Sequence, residues 1–138
     1  MRVATGIAII IAASATMAKG QSVQEQATCA KQALAAFEDY KGGAHPPGVN
    51  DYQNHYNKTL DKCFILINQK SELNGQPATA TELYDAIERR VLASYIQLTK
   101  EGKQYRLNCE LKPTPQEKET ICGSKHEFDA FVSKYMEQ

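Results

Sequence analysis

The sequence predicts an α+β domain: an antiparallel sheet of about four strands, packed by an N-terminal and a C-terminal helix and held by two disulfides. Three observations predict it. Apolar residues recur at helical spacing near both ends of the chain, and an alternating hairpin pattern lies between them. The run Phe64-Ile-Leu-Ile67 is too apolar to sit half-exposed, so it reads as a strand buried on both faces.

The chain opens with Met1-Arg2, continues through the apolar Ile7–Ala13 and reaches small residues up to Ala18. A basic start, a short apolar segment and an alanine-rich end are the parts of a secretory signal peptide. The apolar segment falls short of the roughly 20 residues that span a bilayer. Residues 1–18 therefore read as a signal peptide cleaved after Ala18 or Ala15, and 19–138 as a single α+β domain in the periplasm or secreted. About 120 residues is near the commonest domain size. Cys29 follows Gln26-Ala27-Thr28, which lacks the pattern that precedes a lipidated cysteine.

Val23, Ala27, Ala30, Leu34 and Phe37 form one helical stripe over 22–40, bordered by Cys29, Ala33 and Ala36, and Gly42-Gly43 ends it. His45-Pro-Pro-Gly48 makes a stiff extended turn. The central stretch 52–67 begins polar and aromatic and ends in the apolar strand. Polar residues with Asn74-Gly75 and Pro77 mark Ser71 to Thr81 as a loop.

Residues 82–99 fit a helical stripe through Leu83, Ile87, Val91, Tyr95 and Leu98, and equally two strands broken near Glu88-Arg-Arg90. The neighbouring segment favours strands. Val91–Thr99, the turn Lys100-Glu-Gly-Lys103 and Gln104–Leu111 have the form of a hairpin. In its second arm Tyr105, Leu107, Cys109 and Leu111 alternate with polar residues. Lys112–Thr120 is a solvated loop and Ile121–Gly123 a short return element. Ser124-Lys-His-Glu127 is a capping box, and Phe128, Phe131, Val132 and Tyr135 form the face of the last helix.

All four cysteines lie beyond the leader, and an even count in an oxidising compartment reads as two disulfides with three possible pairings. Cys29–Cys63 with Cys109–Cys122 is preferred. The first ties the N-terminal helix to the apolar strand, and the second closes a polar loop between neighbouring elements. No Cys-x-x-Cys occurs, which argues against zinc. Cys122 precedes a helix N-terminus, a position that stabilises a thiolate, but without that motif the bond reads as structural.

The segment His55-Tyr-Asn-Lys-x-Leu-x-Lys-Cys-Phe-x-Leu-Ile67, with Leu83-Tyr-Asp-Ala86, Cys109 and Glu127-Phe-Asp-Ala-Phe131, resembles a group of small exported bacterial proteins of uncharacterised function. The resemblance spans most of the mature chain. It implies strands over 82–99 with a turn between them, where this chain carries Arg89-Arg90. It implies no activity.

Composition excludes several functions. Removing Arg2 with the leader leaves fifteen basic against sixteen acidic residues, so there is no basic face for nucleic acid and no polybasic membrane patch. The three histidines, His45, His55 and His126, are far apart and form no metal pattern, so no metal and no cofactor is expected. There is no Gly-x-Ser-x-Gly elbow. Asn57-Lys-Thr59 matches a glycosylation acceptor by chance.

The candidate site is the polar half of the central stretch. Tyr52, His55 and Tyr56, with His45 on the stiff loop, are expected to present a binding surface. The expected function is an exported, disulfide-stabilised binding module, a monomer or weak dimer, that recognises a protein or an envelope component. The alternative is a small hydrolase-like acid–base enzyme in which Asp51, one helical turn before His55, orients the imidazole.

Overall fold

The computed structural model describes residues 23–43, 48–112 and 118–137. The expected signal peptide and His45 lie outside the described residues. Helix α1 (Val23–Gly42) leads into strands β1 (Val49–Asn57), β2 (Lys62–Leu73), β3 (Gln76–Asp85), β4 (Arg90–Lys100), β5 (Lys103–Leu111) and β6 (Thr120–Ile121), and helix α2 (Lys125–Met136) completes the order. The six strands form one antiparallel meander in chain order, β1 to β6. The α+β class, both helices and both disulfide pairings are as expected; the strand count is not.

Two of the six strands go beyond the expected four. β1 has the composition of a polar lead-in because an edge strand needs little apolar residue on either face. The two-residue β6 pairs only Glu110↔Ile121 and Leu111↔Thr120. The expected loop at 71–81 is also strand. β2 and β3 run unbroken to Leu73↔Gln76, joined by Asn74-Gly75 with φ of 53° and 74°. Two successive left-handed residues make the tight turn whose twist matches paired strands, and Asn-Gly is the pair that adopts it at least cost. Glu101-Gly102 repeats the geometry at 52° and 72° between β4 and β5, in keeping with the expected hairpin. Pro77 is tolerated because it pairs with Glu72 on one side only; pairing with β4 begins at Ala78.

The sheet lies between the helices, and β2, beside the β1 edge, sends side chains into the cores on both its faces. Cys63, Ile65 and Ile67 join Cys29, Ala33, Ala36, Phe37 and Tyr40 of α1 in one core. Phe64 joins Leu83, Leu92, Tyr95, Phe128, Phe131 and Val132 in the other, with Leu66 packed against it. Phe64, Ile65 and Ile67 are at most 1% exposed, so the apolar run is buried on both faces as its composition demands. Each such side chain contributes about 1.5–3 kcal/mol by leaving water.

Helix α1 is rotated from the expected stripe. Val23 and Leu34 are 82% and 50% exposed, whereas Cys29, Ala33 and Ala36 face the sheet. The Cys29–Cys63 bond, with Cα atoms 5.2 Å apart, fixes that rotation, and alanines at the interface let the helix sit close. Helix α2 matches its expectation. Ser124 Oγ accepts from the Glu127 N–H, and the Glu127 carboxylate accepts from the Gly123 N–H at 2.7 Å.

Candidate functional site

Strand alternation decides what the central stretch can do. Along β1 successive side chains point to opposite faces. Tyr52 turns toward α1 and packs on Phe37 at 4.5 Å between ring centroids, and Tyr56 borders the same core. His55 points the other way, into a cleft beneath α2. The expected set Tyr52, His55 and Tyr56 is thus divided between two faces. Asp51 and His55 are four residues apart on a strand, which separates their Cα atoms by about 13 Å. The helical turn that would have joined carboxylate to imidazole does not exist.

On the α1 side, Tyr56 and Asp61 line a cleft of about 450 Å3 with Glu25, Thr28, Gln32 and the buried Cys29–Cys63 bond. Tyr56 donates a short hydrogen bond to the Asp61 carboxylate across the β1–β2 turn. That bond, with lesser contributions from desolvation and from the charges of Asp61 and Glu25, pushes the phenol up to about 12.

On the α2 side, His55 shares a cleft of about 350 Å3 with Asp129, Ser133 and Glu137. These are the residue types of acid–base chemistry, drawn from a helix about 70 or more residues later, a proximity no sequence spacing could disclose. Their bonds run within the helix. Ser133 Oγ bonds Glu137 at 3.0 Å, and Asp129 pairs with Lys125.

Asn57 closes this end. It is wholly buried; its amide donates to the Lys134 and Tyr135 carbonyls at 3.1 and 3.2 Å, and its oxygen accepts from the Leu60 N–H at 3.0 Å. In the folded chain Asn57 is therefore inaccessible as a glycosylation acceptor. Cys109 and Cys122 are 1% and 0% exposed, which shields that disulfide from solvent thiols. Among the described residues no group of His, Cys, Asp and Glu is arranged to hold a metal.

Among the described residues the opposite end of the sheet is bare of core packing, with Gln69 and Ala78 alone buried there. Beyond the row Asn68, Thr81, Tyr95 and Cys109, neither core has a member. The strands continue for several more residues to the Asn74-Gly75 and Glu101-Gly102 turns. On the α1 side Leu98 pairs with Ala78 and Tyr105, next to Ile96 paired with Ala80 and Asn108. Leu73, Tyr105 and Leu107 are 47%, 48% and 49% exposed.

At the margin of this face Glu82 accepts from Tyr84 Oη and Ser94 Oγ, each at 3.4 Å, and Tyr40 Oη donates to Gln69 at 3.1 Å. Burial, then the Glu82 charge, pushes the Tyr40 and Tyr84 phenols up. Sequence reasoning misses this end. It places Tyr105 and Leu107 on one buried face with Cys109 and Leu111. A register shift between Ile96 and Gln97 breaks that alternation.

No family model, no curated protein and no solved structure matches the chain. Two disulfides fit a non-cytoplasmic protein, and among the described residues no helix is long and apolar enough to cross a membrane.

Proposed function

We propose that this is an exported, disulfide-stapled binding module that recognises another protein through the bare end of its sheet. The supporting observation is the extension of β2–β5 past both cores, with half-buried Ile96 and Leu98 and exposed Leu73, Tyr105 and Leu107. Apolar side chains grouped on a part of the sheet that neither core of the described residues reaches cost solubility unless something docks there. The stapled, two-sided core holds that surface rigid, which lowers the entropy cost of docking. Export is supported by the signal-peptide pattern of residues 1–18 and by the two disulfides, and the lack of net charge leaves protein or envelope polymer, rather than nucleic acid, as the target class.

The test is affinity capture from an envelope extract with oxidised 19–138, beside Tyr105→Ser/Leu107→Ser and His55→Ala variants. The binding reading expects one stoichiometric partner kept by His55→Ala and lost by the double variant. Equal capture by all three would overturn this surface.

A second reading, acid–base catalysis at His55, draws on the cleft that also holds Asp129, Ser133 and Glu137. It takes its carboxylate from α2 rather than from Asp51. A hydrolytic activity abolished by His55→Ala with the fold intact would establish it; the engagement of Ser133 and Asp129 within α2 makes it the lesser reading.

A further inference from the structure

We infer that the free half of β5, Lys103–Asn108, is a strand-addition edge that receives an extended acidic segment of the partner protein. This rests on the binding reading above and specifies its geometry.

The edge is half used. β6 pairs with Glu110 and Leu111 alone, and the Cys122 N–H adds one rung to the Cys109 carbonyl at 3.1 Å before the chain turns into α2. Among the described residues no strand lies beside Lys103–Asn108 on that side. Its outward N–H and C=O groups therefore form a template for one more strand, in line with where β6 stops. Tyr105 and Leu107 stand exposed on this segment and supply apolar contact.

Charge selects the occupant. Lys100 and Lys103 are paired directly across the hairpin, an arrangement that is unfavourable by itself. No acidic side chain of the described residues forms an ion pair with either lysine or with Arg106, whose guanidinium is bound to the Cys122 carbonyl at 2.7 Å. Lys103 and Tyr105 share one face of the sheet, so a segment with Asp or Glu beside Lys103 and an apolar residue two positions along relieves the repulsion and packs on Tyr105. A second copy pairing β5 to β5 over Lys103–Asn108 brings no acidic side chain to these cations. The edge thus disfavours self-association and favours an acidic partner.

The test uses isotope-labelled, oxidised 19–138 and a synthetic eight-residue peptide whose one face alternates glutamate with valine and whose other face is threonine, with a peptide carrying lysine in place of glutamate as control. The expected result is slowed amide exchange confined to residues 103–108 with the glutamate peptide, and binding about tenfold weaker for the lysine peptide. The Lys100→Glu/Lys103→Glu variant at the exposed hairpin end, its fold checked by unchanged exchange in β2 and β3, reverses that preference. Unchanged exchange at 103–108, slowing along β1 instead, or an unreversed preference would each overturn the inference. Capture of a natural partner that still depends on Tyr105 and Leu107, without protection at 103–108, would overturn strand addition while leaving the binding reading in place. Peptide protection at 103–108 with natural-partner capture unaffected by the double variant would instead overturn the binding reading.

Discussion

The Lys62 ammonium lies 2.9 Å from the Asp85 carboxylate, yet the lysine is 37% exposed and the aspartate 1%. The buried partner carries the structural role. Asp85 Oδ1 accepts from the Ile87 and Glu88 N–H groups, both at 2.9 Å, and so closes the β3–β4 turn. The same turn holds Arg89 in the left-handed region at φ 55°.

Asp85→Ala is accordingly expected to destabilise the domain by about 1.5–3 kcal/mol, because two turn N–H groups lose their charged, buried acceptor. Lys62→Ala should cost less, since its charge is partly solvated. Urea denaturation of both variants checks the order. Burial alone would push the Asp85 carboxyl up, but the Glu88 N–H, the Lys62 ammonium and the Ile87 N–H outweigh it and hold the group below its ordinary value. A carboxyl so lowered stabilises the fold above about pH 4, and that contribution is lost as pH falls through the folded value. In Asp85→Asn the acid limb of the stability profile should flatten.

At the alkaline end the sign reverses. The Tyr56 phenol, bonded to Asp61, titrates at about 12, and Tyr40 and Tyr84 are also raised. An unfolded tyrosine ionises near about 10. The stabilisation these phenols supply is therefore full below about pH 10 and falls as pH rises toward about 12. Asp61→Asn should return Tyr56 toward about 10, as read by NMR titration of ring-labelled tyrosine.

The two disulfides close loops of different length, with sequence separations of 34 and 13. Chain entropy assigns about 4 kcal/mol to Cys29–Cys63 and about 3 kcal/mol to Cys109–Cys122. Paired Cys→Ser variants compared by urea midpoint should show that order.

Asn57→Ala removes the link between β1 and the last turn of α2. A loss of about 2 kcal/mol is expected, because the Leu60 N–H loses its acceptor and the Lys134 and Tyr135 carbonyls lose their buried donor. Amide exchange at Tyr135 and Met136 should rise more than exchange at Phe128.

Much of the fold is legible in the sequence. The apolar run Phe64–Ile67 locates the strand that serves both cores, and the Ser124–Glu127 capping box locates α2. Of three possible cysteine pairings, chain position favours the one the structure shows. What escapes is tertiary. The rotation of α1 is set by a disulfide and by alanines small enough to approach the sheet, not by its bulkiest residues. Asn74-Gly75 marks a loop and a tight hairpin alike, and only the pairing of its flanks tells them apart. The candidate site is less legible still. Tyr52 and His55 are near neighbours in sequence and opposed in space, since a strand sends them to different faces. The length over which helices cover a sheet leaves no local mark, so the exposure of Tyr105 and Leu107 cannot be read from their alternation.

The most direct measurement of the central claim is site-specific photo-crosslinking in the native envelope. A photoreactive residue would stand in turn at Tyr105, on the bare end, and at Thr59, in the β1–β2 turn at the far end. A discrete protein adduct from position 105 and none from 59 is the predicted result. Adducts from position 59 alone, or none from either with the protein folded and oxidised, would contradict a docking surface at the bare end of the sheet.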